Sequence, residues 1–273
     1  MQPAVQYQTF NTSDGCAIAY ALRGSPDPKK PRLVLIHSLA LDASIWDNVV
    51  AGLAQDAQIL TYDCRGHGRS GKPHMTFTMD LFARDLAELL DRVGWPSAVV
   101  AGCSMGGCVA QKFGGLYSSR ASALGLIDTI AWYGEDAPKT WRERAANARA
   151  KGLNGMVDFQ LTRWFGDRFR SDHKESVEAL VRVFLANDLD CYASTCVLLG
   201  DADCRPQLKS LRMPVAIVVG EDDYATPLAA SRQLHEAIPQ STLTIIPGGR
   251  HLTPVECPVQ VSAQLRALFE QAK

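Results

Sequence analysis

The stretch VVAGCSMGGCVAQ, residues 99–111, decides the fold because it runs from an apolar segment through closely spaced glycines into a predicted helix. Its centre, GCSMG at 102–106, matches the G-x-S-x-G pattern of a serine held on a sharp turn between a strand and a helix. We attribute the glycines at 102 and 106 to close packing, because side chains there would collide with neighbouring backbone. The simpler alternative is that Ser104 only caps the following helix.

Segments typical of strands and of helices alternate on both sides of this turn. Continuous apolar runs such as RLVLIH (32–37) predict buried strands, and Asp14-Gly15 predicts a hairpin turn. Apolar residues spaced by three and four from 78 to 93 predict one long helix. This alternation favours a mainly parallel sheet with helices on both faces, which binds ligands at the carboxyl ends of its strands. The predicted strands are 5–10, 16–24, 32–37, 58–63, 97–102, 121–128, 213–220 and 241–248.

The alternation stops between about Trp132 and Arg205, where the spacing of apolar residues is helical and no buried strand is predicted. We interpret residues 132–205 as a helical insertion. The remaining residues, 1–131 and 206–273, then form one α/β core domain. At 273 residues and 47% apolar composition, the chain is long enough to bury a substantial core.

Charge and composition narrow the choice of partner. The chain has 28 basic and 29 acidic residues, so no overall field favours nucleic acid or an anionic membrane. A small, mostly uncharged substrate fits this balance better. No segment approaches the roughly 20 apolar residues of a membrane span, and the amino-terminal residues lack the pattern of a secretory leader.

The eight cysteines are scattered without a C-x-x-C pair, which favours reduced thiols in a cytoplasmic protein. The six histidines form no H-E-x-x-H or similar cluster, so we expect no metal site. Cys103 adjoins Ser104, but we interpret it as a buried packing residue rather than a reactive thiol.

A serine hydroxyl is a weak nucleophile, so it needs an imidazole to accept its proton and a carboxylate to orient that imidazole. In G-x-S-x-G proteins the acid comes first along the chain and the histidine second, each after a later strand. Asp222 and Asp223 follow the strand at 213–220, and His251 follows the next strand. The residues alone leave both carboxylates open as the acid.

Five blocks occur in the order LVLIHSLALDASIW, YDCRGHGRS, GCSMGG, GEDDYATP and GGRHL. By these blocks the chain resembles the α/β-hydrolase superfamily over nearly its whole length, and is most similar to 3-oxoadipate enol-lactonases. The resemblance implies a mostly parallel eight-stranded sheet with helices on both faces and a helical cap at 132–205. It selects Asp223, three residues beyond Gly220, as the acid, and His251 as the base.

The resemblance also implies an oxyanion hole made by the backbone N–H groups of Met105 and Leu39, although Ser38 stands where relatives commonly have glycine. We name Ser38, Trp132, Trp141 and Trp164 as candidates for lining the substrate pocket. The alternative for the three indoles is that they only hold the cap helices together. Arg142, Arg144 and Arg149 are expected either to meet an acidic substrate or to form a solvated helix face.

The expected function is therefore a cofactor-independent serine hydrolase that cleaves a small-molecule carboxylic ester or lactone through an acyl-enzyme. A carbon–carbon bond hydrolase or an amidase with the same three residues stays open. So does a cofactor-free haloperoxidase or dioxygenase. A ligand receptor on the same fold is the non-enzymatic alternative, and measurable turnover would distinguish it. The oligomeric state is left open.

Overall fold

The structure is a computed structural model that describes residues 5–272, so the ends of the predicted core, residues 1–4 and residue 273, lie outside the described residues. Its centre is one eight-stranded sheet. The strands are β1 Gln8–Asn11, β2 Ala17–Gly24, β3 Arg32–Ile36, β4 Gln58–Tyr62, β5 Ala98–Cys103, β6 Ala121–Ile127, β7 Val215–Gly220 and β8 Ser241–Ile246. Their order across the sheet is β1-β2-β4-β3-β5-β6-β7-β8.

The sheet is antiparallel at one edge and parallel elsewhere. β1 and β2 form a hairpin, and β2 also pairs antiparallel with β4, whereas every pairing among β3 to β8 is parallel. Gly15 in the hairpin loop has φ +86°, a conformation that glycine adopts without steric cost. Every residue of β5 is buried, as expected for a parallel strand covered on both faces.

Helices cover both faces of this sheet. The α-helices are α1 Asp47–Leu53, α2 Met79–Arg92, α3 Met105–Leu116, α4 Ala137–Lys151, α5 Val157–Trp164, α6 Asp167–Asp172, α7 Lys174–Leu185, α8 Leu189–Asp201, α9 Arg205–Leu208, α10 Leu228–Ala237, α11 Thr253–Glu256 and α12 Pro258–Gln271. Short 3-10 helices cover Ala43–Trp46, Ser118–Arg120 and Leu153–Met156. α1 packs on α12, and α2 packs on α3.

The expected fold class is confirmed, and most predicted boundaries lie within two residues of the observed ones. The predicted helix from Thr78 begins at Met79, because the Thr78 hydroxyl accepts the Leu81 N–H and caps the first turn. The first strand lies at 8–11 rather than 5–10. The four-residue helix α11, immediately after His251, was not predicted.

Between β6 and β7 the chain is helical from α4 to α9, and its one β contact in the described residues is an isolated bridge between Trp132 and Asp203. Side-chain and backbone hydrogen bonds hold this insertion to the loops at the carboxyl ends of the strands. The Asn187 amide donates to the Ala40 carbonyl at 2.8 Å, and the Leu252 N–H donates to the Trp164 carbonyl at 3.1 Å. The insertion therefore lies over the edge of the sheet that carries Ser104.

Within residues 5–272, no helix combines the length and the apolar character that crossing a bilayer requires.

Candidate active site

Ser104 occupies the sharp turn between β5 and α3, with φ +56° and ψ −115°. Few non-glycine residues adopt such a backbone, and it is strained. As predicted, the flanking glycines are required by close approach: a Cβ at Gly102 would clash with the Gly106 carbonyl, and one at Gly106 with the Ile36 carbonyl. The Ser104 side chain makes no capping hydrogen bond to α3, so its hydroxyl is free for the groups above the sheet.

His251 joins the serine to a carboxylate. Its Nε2 lies 2.9 Å from Ser104 Oγ, and its Nδ1 lies 2.8 Å from Asp223 Oδ2. The three residues come from the turn after β5, the loop after β7 and the loop after β8. Residues separated by 147 positions along the chain thus meet because parallel strands end at the same edge.

The Asp223 carboxylate is buried and fully supplied with donors. Oδ1 accepts the N–H groups of Ala225 and Thr226, while Oδ2 accepts the Thr226 hydroxyl at 2.8 Å. Burial raises the pKa of Asp223, but the adjacent His251 and the Thr226 donors outweigh it, and the pKa is lowered overall. An ionised Asp223 accepts the proton on His251 Nδ1, so Nε2 is left as the acceptor for the serine hydroxyl.

The neighbouring Asp222 takes no part in this arrangement. Its side chain is exposed and makes no hydrogen bond or ion pair within the described part of the chain, while its N–H donates to the Gly249 carbonyl. The structure thus brings Asp223, and not Asp222, to His251. Thr226, which sequence reasoning did not single out, follows Asp223 by three residues and anchors it.

The backbone around Leu39 is oriented by a buried histidine. His37 Nε2 accepts the Cys64 N–H at 2.8 Å, so Nδ1 carries the proton and donates to the Ser38 carbonyl at 2.7 Å. In a trans peptide the C=O and the next N–H point in opposite directions. The Leu39 N–H therefore points away from His37, and it has no acceptor among residues 5–272.

Met105 supplies the second N–H expected for an oxyanion hole. As the first residue of α3, it has an N–H that the hydrogen bonds within the helix leave free. The aligned peptide dipoles of the helix also favour negative charge at this end. Leu39 and Ser38 line the same small cavity as Ser104, and Met105 follows Ser104 directly in the chain.

Asp128, another residue absent from the sequence expectations, ties together the two loops that carry Asp223 and His251. It follows β6 with φ +45° and is fully buried. One carboxylate oxygen accepts the Gly220 N–H at 3.1 Å, and the other accepts the Thr253 N–H and hydroxyl at 2.9 and 2.6 Å. The sequence did offer a signal for Asp128, because an acidic residue there ends the strand next to β5.

The cavity above Ser104 measures about 30 Å³ and is lined in part by residues of the insertion. Ser38, Trp141 and Trp164 line it, as expected for pocket residues, whereas Trp132 does not: the Arg205 guanidinium lies 3.6 Å above its ring. Trp164 also packs edge-on against Phe184, so it holds the insertion helices together as well. The cavity lining that sequence reasoning missed is Tyr133, Gln160, Arg163, Leu199, Ala225 and Thr226.

The three arginines of α4 have different surroundings. Arg142 pairs with Asp201 at 2.9 Å and Arg149 pairs with Asp190 at 3.0 Å. Both pairs are exposed, so these two arginines belong to a solvated helix face, the second of the two alternatives given for them. Arg144 instead lines the cavity, where its Nε donates to the Tyr192 hydroxyl at 2.9 Å. One member of the set therefore faces the site.

Other candidate groups near the site have structural surroundings. Arg65 is fully buried and pairs with Asp14 and Asp85. Burial and two negative neighbours raise the pKa of the Cys103 thiol, which keeps it protonated and unreactive. The described residues contain no group of three or more potential metal ligands.

A serine on a strained turn after a central parallel strand, bonded to a histidine and an aspartate from loops after later strands, is the arrangement of the α/β-hydrolase class. The chain belongs to the alpha/beta hydrolase family, because the model of that family matches residues 33–264, most of its length. The resemblance noted in the sequence is thereby confirmed.

Similar proteins include enol-lactonases and an esterase. The chain is 31% identical to 3-oxoadipate enol-lactonase 2 of Acinetobacter baylyi over 98% of this chain and 99% of the relative. It matches the crystal structure of the enol-lactonase from Burkholderia xenovorans LB400 with a TM-score of 0.92, 27% identity and coverage of 96% and 100% of the two chains. A thermophilic esterase from Thermogutta terrifontis matches with a TM-score of 0.90, 26% identity and coverage of 98% and 99%. Family and relatives together support a hydrolase.

Proposed function

We propose that the chain is a serine hydrolase that cleaves a carboxylic ester or lactone through an acyl-enzyme intermediate. The observation that carries the proposal is the pair of hydrogen bonds at 2.9 and 2.8 Å that joins Ser104 to His251 and His251 to Asp223. The names of the enol-lactonase relatives support esters and lactones as the substrate class. We assign the roles of nucleophile, base and orienting acid to these three residues in that order.

In the first half-reaction Ser104 Oγ bonds to the substrate carbonyl carbon while its proton passes to His251 Nε2. The carbonyl electrons move onto oxygen, which the N–H groups of Leu39 and Met105 stabilise. Asp223 stabilises the imidazolium that forms. The tetrahedral intermediate then collapses, the bond to the leaving oxygen breaks, and that oxygen takes the proton from His251.

In the second half-reaction water replaces the leaving alcohol. His251 accepts one proton from the water as its oxygen attacks the acyl carbon, and the same proton returns to Ser104 Oγ when the ester bond to the serine breaks. A lactone follows the same steps, except that its leaving oxygen stays attached to the acyl group. Each proton transfer uses His251, so this sequence of steps requires no cofactor.

We further propose that residues 132–205 act as a cap over the substrate, since Trp141 and Trp164 of the insertion line the cavity opposite Ser104. A small-molecule substrate and a cytoplasmic location, which the scattered cysteines support, complete the proposal. A carbon–carbon bond hydrolase or an amidase would use the same three residues, and a receptor on this fold would show little turnover.

The experiment is covalent labelling of the purified protein with a fluorophosphonate, followed by peptide mass spectrometry and by assay of a panel of aryl esters, lactones and amides. We expect one label, on Ser104, and turnover of esters or lactones with a burst of leaving group. No labelling together with no turnover would favour the receptor. Faster turnover of amides than of esters would contradict the assigned substrate class.

A further inference from the structure

Glu256, the last residue of α11, accepts backbone N–H groups from two separate parts of the molecule. Its Oε2 accepts the N–H of Arg250, the residue before His251, at 2.8 Å. Its Oε1 accepts the N–H of Gly166, which lies in the insertion between α5 and α6, at 3.1 Å. The Glu256 side chain is half-buried, so both bonds are partly shielded from water. One carboxylate thus connects the insertion to the loop that carries His251.

A second hydrogen bond joins the same two segments directly. The N–H of Leu252, the residue after His251, donates to the Trp164 carbonyl at 3.1 Å. Leu252 is fully buried, and Trp164 lines the catalytic cavity. Both chain neighbours of His251 are therefore bonded to the segment 164–166 of the insertion, one of them directly and the other through the carboxylate.

The backbone of His251 itself makes few hydrogen bonds. Among residues 5–272 its N–H has no acceptor, and its carbonyl accepts only the weak Cys103 thiol donor at 3.9 Å. The ring bonds of 2.8 Å to Asp223 and 2.9 Å to Ser104 form only where the backbone brings the imidazole between these two side chains. The position of His251 Nε2 therefore depends on how the residues before and after it are held.

The negative charge of Glu256 does not account for this arrangement through stability. Burial, with a smaller contribution from the charge of Asp222, raises the pKa of Glu256, although the N–H donors of Arg250 and Gly166 and the Arg250 charge act in the opposite direction. A carboxyl group whose pKa is higher in the folded than in the unfolded chain opposes folding when it is ionised. At neutral pH the ionised Glu256 therefore lowers the free energy of unfolding, while its two hydrogen bonds fix the relative position of two segments.

We propose that Glu256 is a positioning residue whose carboxylate joins the insertion to the loop of His251 and so holds His251 Nε2 within hydrogen-bonding distance of Ser104. The inference rests on the proposed function, in which His251 is the base. It gives the insertion a role beyond covering the substrate, because the segment 164–166 then helps to set the geometry of the reacting groups. Glu256 does not line the cavity. It acts through His251, since a misplacement of about 1 Å at a reacting group can cost about 100-fold in rate.

The first test is Glu256→Gln, which keeps the shape of the side chain but replaces one carboxylate oxygen by an NH₂ group. That group cannot accept an N–H, so one of the two connections is lost. We expect kcat for an aryl ester to fall about 10- to 100-fold, and the rate of fluorophosphonate labelling at Ser104 to fall by a similar factor. KM should stay within about 3-fold of wild type, because His251 serves both half-reactions and the cavity lining is unchanged.

Glu221→Gln is the matched control. Glu221 Oε2 accepts the Gly248 N–H at 3.1 Å, so this carboxylate also holds the loop before His251, but within the described residues it has no hydrogen bond to the insertion. We expect Glu221→Gln to change kcat by less than about 3-fold. Equal losses of kcat in the two variants would overturn the proposal. So would a folded Glu256→Gln protein that unfolds at lower urea concentration but keeps the wild-type kcat, because Glu256 would then only stabilise the fold.

A second variant breaks the connection from the insertion side. Gly166 has φ −65° and ψ 158°, and Phe165 before it is extended, so proline fits this backbone while it removes the N–H that Glu256 accepts. Gly166→Pro should lower kcat by about the same factor as Glu256→Gln, and it decides the matter if Glu256→Gln does not fold. The double variant should lose no more than about 2-fold beyond the larger single loss, because both changes break one connection. Losses that multiply would show that the two residues act separately and would overturn the proposal.

The outcome for Ser104→Ala distinguishes this proposal from the proposed function. If Ser104→Ala abolishes hydrolysis while Glu256→Gln and Gly166→Pro keep the wild-type kcat, the proposed function stands and the positioning role fails. If Ser104→Ala hydrolyses esters as well as wild type, the proposed function itself fails. Circular dichroism of each purified variant shows whether its fold is retained.

Discussion

The two walls of the catalytic cavity, one from the sheet and one from the insertion, differ in whether their polar groups have hydrogen-bond partners. On the sheet side, Asp223 accepts four hydrogen bonds, Asp128 accepts three, and both ring nitrogens of His251 have partners. On the insertion side, Arg163 has no acceptor among residues 5–272, and Nη1 of Arg144 has none there either. A network in which every polar group is hydrogen-bonded holds its side chains in one geometry, as catalysis requires. Unpaired donors remain available to bind polar groups of different substrates.

This difference predicts that substitutions on the sheet side lower the rate for every substrate, while substitutions on the insertion side discriminate between substrates.

Removal of the nucleophile should have the largest effect. We expect Ser104→Ala to lower kcat for any ester by about 10⁴- to 10⁶-fold and to abolish fluorophosphonate labelling, because no other hydroxyl of the described residues is bonded to His251 Nε2. Folding should be retained, since alanine occupies the same turn and Ser104 makes no capping bond. Circular dichroism measures the retained fold, and stopped-flow assays measure kcat. Activity near the wild-type level would contradict the mechanism.

The two adjacent carboxylates should differ sharply. Asp223→Asn should lower kcat by about 10⁴-fold, because an amide no longer holds the proton on His251 Nδ1. Asp222→Asn, an equal change one residue away on an exposed side chain, should change kcat by less than about 3-fold. Steady-state kinetics on one ester decide the ranking, and the reverse order would place the acid at Asp222.

Two variants of His37 separate its two hydrogen bonds. In His37→Asn the amide nitrogen stands near the position of Nδ1 and can still donate to the Ser38 carbonyl, whereas His37→Gln places its amide near Nε2. We expect kcat to fall by about 10- to 100-fold in the glutamine variant, through loss of the orientation of Leu39, and by less in the asparagine variant. Equal kcat values in the two variants would show that His37 does not orient this peptide.

The lowered pKa of Asp223 gives an acid-dependent stability. Because the folded pKa lies below that of the unfolded chain, about 3.9, Asp223 contributes stability above that pH and loses the contribution as the pH falls through the folded pKa. The difference in unfolding free energy between wild type and Asp223→Asn should shrink as the pH falls below about 4. Urea unfolding at several pH values measures this difference. A difference that grows in acid would contradict a lowered pKa of Asp223.

The smallest effect is expected on the insertion side. Tyr192→Phe removes the acceptor of Arg144 Nε without changing the shape of the ring. Because Arg144 lines the cavity above Ser104, KM for the preferred ester of the panel should rise about 3- to 10-fold, with kcat unchanged. Tyr224→Phe, at an exposed ring that contacts Arg163 only through its face, is the control. A fall in kcat with KM unchanged would contradict the distinction between the two walls.

The sequence accounts for the sheet side almost completely. The strained turn at Ser104 is visible because only glycine fits at 102 and 106, and the loops after β7 and β8 are visible because apolar runs end there in polar residues. Asp128 was missed although it ends a predicted strand, because its partners Gly220 and Thr253 are more than 90 residues away. Contacts at that separation depend on how strands are ordered in the sheet.

The sequence by itself determined the alternation of strands and helices, the serine turn and the order in which acid and histidine follow it, because these depend on local backbone chemistry and on the periodicity of apolar residues. It left Arg142, Arg144 and Arg149 undivided, because each could meet a substrate or belong to a solvated helix face. Only the tertiary structure decided which face of α4 meets the cavity, that Arg163 stands beside it without an acid, and that Asp223 rather than Asp222 reaches His251. These outcomes depend on the packing of distant segments, which no local pattern encodes.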